Sequence, residues 1–154
     1  MKKLVKVILS MVAVIGLFGG ALMLYLTLRP VKIIAVHQDK YSGSILVDHL
    51  PPLAMQRIKW WQKNKNMLAK KYALPVKWDE KNYNIYVWEF GDGYKELGKY
   101  DRLCFDDMPP PKNCIEKERL MYIFLNRHGE VNYWLNGTGY VQRADGTLDE
   151  TGLD

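Results

Sequence analysis

The feature that most constrains this chain is an uncharged apolar run from Val7 to Leu28, which follows three lysines, Lys2, Lys3 and Lys6. A helix over this run would be about 33 Å long, enough to cross a hydrocarbon core of about 30 Å. The run holds twelve Val, Ile, Leu and Phe residues, and together they favour insertion by roughly 4 to 7 kcal/mol. We therefore predict a cytoplasmic N-terminus over residues 1–6 and a transmembrane anchor over residues 7–28.

The basic residues around this run predict its orientation. Three lysines and the terminal amine precede it, whereas only Arg29 and Lys32 follow closely. Because basic residues stay on the cytoplasmic side, residues 29–143 are expected to form one domain outside the cytoplasm. A cleavable signal is the alternative, with Gly19 and Ala21 as the small residues before the cut. The run is longer than the roughly 7–15 apolar residues of a signal core, so we favour an uncut anchor.

Small residues inside the run suggest a contact with another membrane helix. Gly16, Gly19 and Gly20 lie close together along it. Glycine lets two helix backbones approach closely within a bilayer. The three glycines are therefore a candidate transmembrane helix contact.

The charge of the chain argues against a nucleic-acid partner. The net charge of +5 includes the three lysines before the anchor, and without them 19 basic residues face 17 acidic ones, a net of +2. A nearly balanced domain outside the cytoplasm is not expected to bind nucleic acid. We expect a membrane association and a protein partner, and the sequence indicates no cofactor.

The two cysteines, Cys104 and Cys114, are close enough in sequence to close one loop. In an oxidising compartment such a pair favours a disulfide, because a metal site would need two further ligands nearby. The alternative is two buried free thiols. We predict a disulfide between Cys104 and Cys114.

The pattern of the domain predicts an α+β fold, in which one long helix packs across a small antiparallel sheet. The helix is expected over residues 53–72, after Pro51-Pro52 and before Leu74-Pro75. β-branched and aromatic runs separated by turn residues predict strands, over residues 31–36, 44–47, 84–90, 119–126, 130–135 and 140–142. Residues 144–154 have almost nothing to bury and are expected to form a flexible tail.

The faces of this helix suggest a second role for it. At 100° per residue one face is predicted to pack on the sheet, and it carries Ala54, Ile58, Trp61, Leu68 and Tyr72. A basic stripe and an apolar line are expected on other sides, which makes a candidate partner surface of Lys59, Trp60, Lys63, Met67 and Lys70. Such a surface suits an acidic protein or anionic headgroups. The alternative is an ordinary solvated face, with Trp60 and Met67 meeting a loop.

Sequence motifs for catalysis or metal binding are absent. No Gly-x-Ser-x-Gly elbow, His-Glu-x-x-His pair or phosphate-binding loop occurs, and His37, His49 and His128 are scattered. Asp106 and Asp107 could act as paired carboxylates, but a solvated loop is the simpler interpretation. We assign no catalytic residue and no metal ligand.

Several segments resemble an uncharacterised family of enterobacterial inner-membrane proteins, namely residues 47–51, 58–61, 88–94, 101–108 and 113–117. The resemblance implies a Gram-negative inner membrane and a periplasmic domain, and it carries over no functional residue. Our first functional hypothesis is a membrane-anchored binding protein, for which an immunity protein against a periplasmic toxin is one concrete form. The alternatives are an accessory subunit of a larger membrane complex and, with less support, a carboxylate-dependent periplasmic enzyme.

Overall fold

A computed structural model describes residues 1–74 and 84–152. The chain divides into two compact units, the first over Met1–Pro30 and the second from Val31 onward. The first unit is helix α1, Lys2–Leu28, which begins five residues before the predicted anchor and includes the lysines. Within the described residues, α1 is the helix long and apolar enough to cross a membrane. The helical structure of the predicted anchor is thus confirmed.

The second unit is built on a seven-stranded sheet with one helix, and it confirms the α+β prediction. The sheet order is β1-β2-β3-β6-β7-β8-β9, and β4 and β5 pair separately. The elements are β1 Ile33–Gln38, β2 Ser42–Val47, α2 Ala54–Tyr72, β3 Asn84–Glu89, β4 Arg102–Cys104, β5 Cys114–Glu116, β6 Arg119–Leu125, β7 Val131–Leu135, β8 Thr138–Gln142 and β9 Leu148–Thr151.

The sheet departs from a fully antiparallel arrangement at one pair of strands. β2 and β3 are parallel, with Ser42 opposite Asn84 and Val47 opposite Glu89. The connection between them contains α2, and a helical crossover lets the next strand start at the same end of the sheet as the previous one. The sequence pattern predicted the helix, but it did not predict this parallel pair.

Helix α2 packs on one face of the sheet through the stripe that periodicity predicts. Ile58, Trp61 and Leu68 are fully buried. They join a cluster that includes the buried side chains of Ile45 and Val47. The helix ends at Tyr72, followed by Ala73 in the left-handed region with φ of 53°. The predicted stop at Pro75 lies outside the described residues.

The candidate partner surface on α2 is only partly open to solvent. Trp60 is partly buried and packs against the main core cluster. The lysines at 59, 63 and 70 and Met67 are exposed. The binding role of this surface stays a prediction.

The second half of the sheet is a meander, in which β6, β7, β8 and β9 pair antiparallel in chain order. Asn136 and Gly137 both have positive φ, 51° and 82°. Two successive positive φ values make the tight turn whose twist matches that of two antiparallel strands. Leu135 and Thr138 are the first pair of the ladder beyond it.

The predicted flexible tail is wrong over residues 148–151. These residues form β9, which pairs antiparallel with β8. Leu148 is partly buried and packs against the main core. β9 therefore gains a full ladder of backbone hydrogen bonds and one apolar contact, which compensate for its polar composition. Residues 153–154 lie outside the described part.

The face of the sheet opposite α2 is partly covered by what we call the disulfide lobe, residues 101–117, which contains β4 and β5. Cys104 and Cys114 are opposite each other in register and form the predicted disulfide. A second buried cluster, of Leu46, Phe105 and Ile115, joins the lobe to the sheet. Because successive residues of a strand point to opposite faces, Leu46 faces the lobe while Ile45 and Val47 face α2.

Candidate functional site

A cavity of about 430 Å³ lies between the disulfide lobe and the sheet face opposite α2. Its size falls within the roughly 300–1,000 Å³ of small-ligand sites. The sheet and the turn after β1 supply His37, Gln38, Asp39, Ser42, Ser44, Tyr86 and Trp88, and the lobe supplies Leu103, Cys104, Phe105, Asp106, Asp107 and Lys117.

His37 is the most tightly held polar side chain of this cavity. It is 7% exposed, and its Nδ1 lies 2.8 Å from Asp107 Oδ1. Its Nε2 lies 2.7 Å from the hydroxyl of Tyr94, and its ring stacks on Phe105 with centroids 3.9 Å apart. Because an ionised carboxylate only accepts, Nδ1 donates to Asp107, and in the neutral ring Nε2 accepts from Tyr94. Burial and the nearby Asp107 charge raise the pKa of Tyr94.

The arrangement of these groups does not favour nucleophilic catalysis. Ser44 is the partner of His37 in the ladder between β1 and β2, but its Oγ accepts from Trp88 Nε1 at 3.3 Å. Both nitrogens of His37 already have partners, so none is left to take a proton from a serine. In the part of the chain that the structure describes, no group of three His, Cys, Asp or Glu side chains is placed to hold a metal ion.

The cavity lining has an excess of negative charge. Asp39 accepts from the backbone N–H groups of Tyr41 and Ser42 and from the Ser42 hydroxyl. Burial acts to raise the pKa of Asp39, but these hydrogen bonds outweigh it, and the net pKa is lowered. Asp106 and Asp107 are exposed at the rim. Three carboxylates therefore face one ammonium group, that of Lys117.

A row of stacked aromatic rings extends the apolar wall of the cavity along the sheet. Tyr86 stacks on Tyr122 and Tyr122 on Phe124, each with centroids 4.7 Å apart. The Tyr122 hydroxyl donates to Asn84 Oδ1 at 2.9 Å. Burial, together with the neighbouring Tyr86 hydroxyl, raises the pKa of Tyr122 to about 12. These rings are partly buried, and their edges leave an apolar surface beside the cavity.

The structure brings only some of the residues considered in the sequence to this site. Asp106 and Asp107, the two acids considered as paired carboxylates, both line the cavity. The candidate partner surface on α2 belongs to the other face of the sheet, and its binding role stays a prediction. Around each of the anchor glycines a Cβ atom would meet nothing within 4 Å, so their role in helix contacts also stays a prediction. The glycines concerned are Gly16, Gly19 and Gly20.

Sequence reasoning missed His37 and Tyr94. Pairing the predicted strands 31–36 and 44–47 as a hairpin could have placed His37 beside the serines of the next strand, because paired residues of a hairpin lie on the same face. The partners of His37 are 57 and 70 residues away along the chain. No local pattern connects residues at such separations.

The fold and the cavity define a small α+β domain preceded by one candidate membrane span, with a cleft the size of a small-ligand site. The chain belongs to the family described as "Enterobacterial putative membrane protein (DUF943)", whose model matches residues 1–151. This match confirms the resemblance seen in the sequence. No curated protein matches the chain, and no solved structure does.

Proposed function

We propose that this protein is a single-pass inner-membrane protein whose periplasmic domain is a binding module, with the cavity under the disulfide lobe as its recognition site. The family match and the apolar helix α1 support the membrane anchor. The Cys104–Cys114 disulfide supports an oxidising compartment.

One observation carries the assignment of binding to this site, namely an open cavity whose wall is held in place by internal hydrogen bonds. His37 is fixed by Asp107 and Tyr94, and Trp88 donates to Ser44. A wall fixed before the ligand arrives loses little conformational entropy on binding. The same hydrogen bonds occupy the groups that would act as base and nucleophile, which favours binding over catalysis.

The proposed site differs from the surface that the sequence suggested on α2. That surface retains Lys59, Lys63, Met67 and Lys70, but Trp60 packs on the core. An immunity protein against a periplasmic toxin is one form of the proposed function, in which the cavity receives a side chain of the toxin.

The cavity assignment is tested by photo-crosslinking in cells. A photoreactive amino acid at Lys117, which is exposed and lines the cavity, should give a specific adduct, detected by mass spectrometry of the labelled peptide. The same probe at Glu96, which is exposed and outside the lining, is the matched control. Filling the cavity with Ser44→Leu should abolish the adduct at position 117. Equal adducts at both positions, or none at 117, would contradict the assignment.

The topology is tested with single added cysteines. Lys3→Cys and Lys99→Cys place a free thiol before the anchor and on an exposed loop of the domain. The native cysteines form a disulfide with each other. The added cysteine is therefore the free thiol that can react in each variant. A membrane-impermeant maleimide applied to intact spheroplasts should label position 99 only, and position 3 should react after permeabilisation. The opposite pattern would reject the periplasmic domain.

A further inference from the structure

We infer that the cavity recognises an organic cation, a guanidinium or ammonium group carried on an apolar stem. This inference rests on the proposed function, since it takes the cavity as the binding site and names the chemistry of the ligand. Three properties of the lining support it: its charge, its balance of hydrogen-bond donors and acceptors, and its aromatic wall.

The charge of the lining is opposite to that of the domain. The part of the chain after the three N-terminal lysines has a net charge of +2. The cavity instead has the carboxylates of Asp39, Asp106 and Asp107 against the ammonium group of Lys117, and this group is already paired with Asp101. A cleft lined by one sign of charge between low-dielectric walls concentrates its field. The field inside the cavity therefore favours a cation, although the net charge of the domain is positive.

The balance of hydrogen-bond donors and acceptors gives a second argument. Seven side chains of the lining carry donors. Five of them already donate within the protein, namely His37, Gln38, Ser42, Trp88 and Lys117, and the other two are the hydroxyls of Ser44 and Tyr86. Among the described residues, Asp106 and the second carboxylate oxygen of Asp107 accept from no protein donor. Carboxylates accept and do not donate. A ligand that satisfies this rim must bring donors, and a guanidinium or ammonium group consists of donors only.

The aromatic wall suits the stem and the face of such a cation. Tyr86 and Trp88 line the cavity, with ring centroids 5.9 Å apart and planes tilted by 31°. Arg and Lys side chains pack their stems on apolar surface and place their charge over aromatic faces. An anion would meet three carboxylates in this cavity, and a neutral sugar would leave their charge uncompensated.

The test is calorimetric titration of the full chain in lipid nanodiscs. N-acetyl-arginine amide and its neutral isostere N-acetyl-citrulline amide have nearly the same shape, so the two probes differ mainly in charge. The arginine compound should bind at least about tenfold more tightly, because charge-assisted hydrogen bonds are about twice as strong as neutral ones. Its affinity should fall as salt is raised from 0.05 to about 0.5 M, since the rim is exposed to solvent.

A matched pair of variants connects the binding to the cavity. Asp106→Asn should weaken binding of the arginine compound by about five- to tenfold. Glu96→Gln makes the same change in charge outside the lining and should leave the affinity unchanged. Both residues are exposed, so neither variant should alter the thermal unfolding of the domain, which is measured in parallel.

Probes of different size distinguish two sources of the cation. If a hexapeptide with one central arginine in glycines binds as tightly as the capped amino acid, the ligand is a side chain of a polypeptide. If the peptide is excluded while agmatine binds, the ligand is a free small cation. Both results support the inference.

Other results would overturn it. Equal affinity for the citrulline compound, or binding that Asp106→Asn does not weaken, would show that the cavity does not select a cation. If neither the capped arginine nor agmatine binds while the photo-crosslink at position 117 is retained, the cation inference fails and the proposed function stands. If the crosslink is also lost, both the cation inference and the proposed function fail.

Discussion

His37 connects three segments that are distant in sequence. It belongs to β1, while Tyr94 follows the turn after β3 and Asp107 belongs to the disulfide lobe. Together with its stacking on Phe105, these hydrogen bonds join the lobe to the edge of the sheet. The cavity has a defined shape because this side chain holds both of its walls.

Tyr94→Phe should therefore destabilise the domain although it changes a single atom. The variant keeps the ring but leaves the buried Nε2 of His37 without its partner, which costs about 1–3 kcal/mol. The measurement is the free energy of unfolding in urea. Tyr41→Phe is the matched control, because Tyr41 is 62% exposed and loss of its hydroxyl should change the free energy by less than about 0.5 kcal/mol. Equal effects of the two variants would contradict the role assigned to Tyr94.

Two tyrosines should make the domain sensitive to alkali. Burial raises the pKa of Tyr122 and of Tyr133 to about 12, above a value of about 10 in the unfolded chain. A group with a raised pKa in the folded state contributes stability that is complete below pH 10 and is lost as the pH rises through 12. The free energy of unfolding should fall over this window.

The variant Tyr122→Phe isolates one of these contributions. It should make the fall in stability between pH 10 and 12 smaller, and titration of absorbance at 295 nm should show one fewer late tyrosine. Tyr100→Phe, at an exposed position, should leave the stability profile unchanged. A profile that is the same in all three proteins would contradict the raised pKa of Tyr122.

The residues of the cavity show what local sequence can and cannot predict. Asp106 and Asp107 attracted attention as neighbouring acids, which is a local property. The burial of His37 depends on Phe105 covering one of its faces, and its partners come from two other segments. Such a site arises from long-range packing, and a single sequence contains no signal for it.

Among the secondary-structure elements, those with strong local patterns were predicted. Helix α2 has a clear apolar stripe, and the hairpin between β7 and β8 has an Asn136-Gly137 turn. β4 and β5 have three residues each, too few for a period to be visible. β9 was missed because its polar residues form a strand only when the free edge of β8 offers them hydrogen-bond partners.

Gly139 in β8 should be sensitive to substitution because β9 and Trp134 pack closely over it. A Cβ atom built at this position would overlap Thr151 Oγ1 and lie 3.4 Å from the Trp134 ring. Gly139→Ala should therefore destabilise the domain by about 1–3 kcal/mol through overpacking, measured by urea unfolding.

A double-mutant cycle tests whether β9 causes this effect. Thr151→Ala removes the closest atom, so the double variant should be more stable than the sum of the two single effects by at least about 0.5 kcal/mol. Gly152→Ala is the control, since a Cβ atom there would meet nothing within 4 Å. Strict additivity of the two changes would show that Gly139 does not pack against β9.

In the whole molecule, the cavity extends along the sheet. The chain enters the sheet at Ile33, whereas Gln38 and Asp39 of the cavity lining follow at the other end of β1. Six strand residues at about 3.3 Å each separate the two ends by roughly 17 Å. Trp88 also lines the cavity, and its partner Leu46 is next to the residue that pairs with Ile33. The lining therefore reaches from the far end of β1 almost to the point where the chain enters the sheet.

A binding module held at the membrane requires that α1 remains attached, so we predict that the anchor is not cleaved. The apolar run exceeds the usual length of a signal core. A signal peptidase would cut after Ala21, because small residues precede the cut. Intact mass measurement of the protein from membranes should therefore find the residues of α1 still present, and alkaline carbonate should not extract the protein. Ala21→Leu, which blocks cleavage after position 21, should leave the mass unchanged apart from the substitution itself. A wild-type protein that begins at Leu22, together with an Ala21→Leu variant that retains the whole helix, would instead show a secreted domain, and the binding module would then act free in the periplasm.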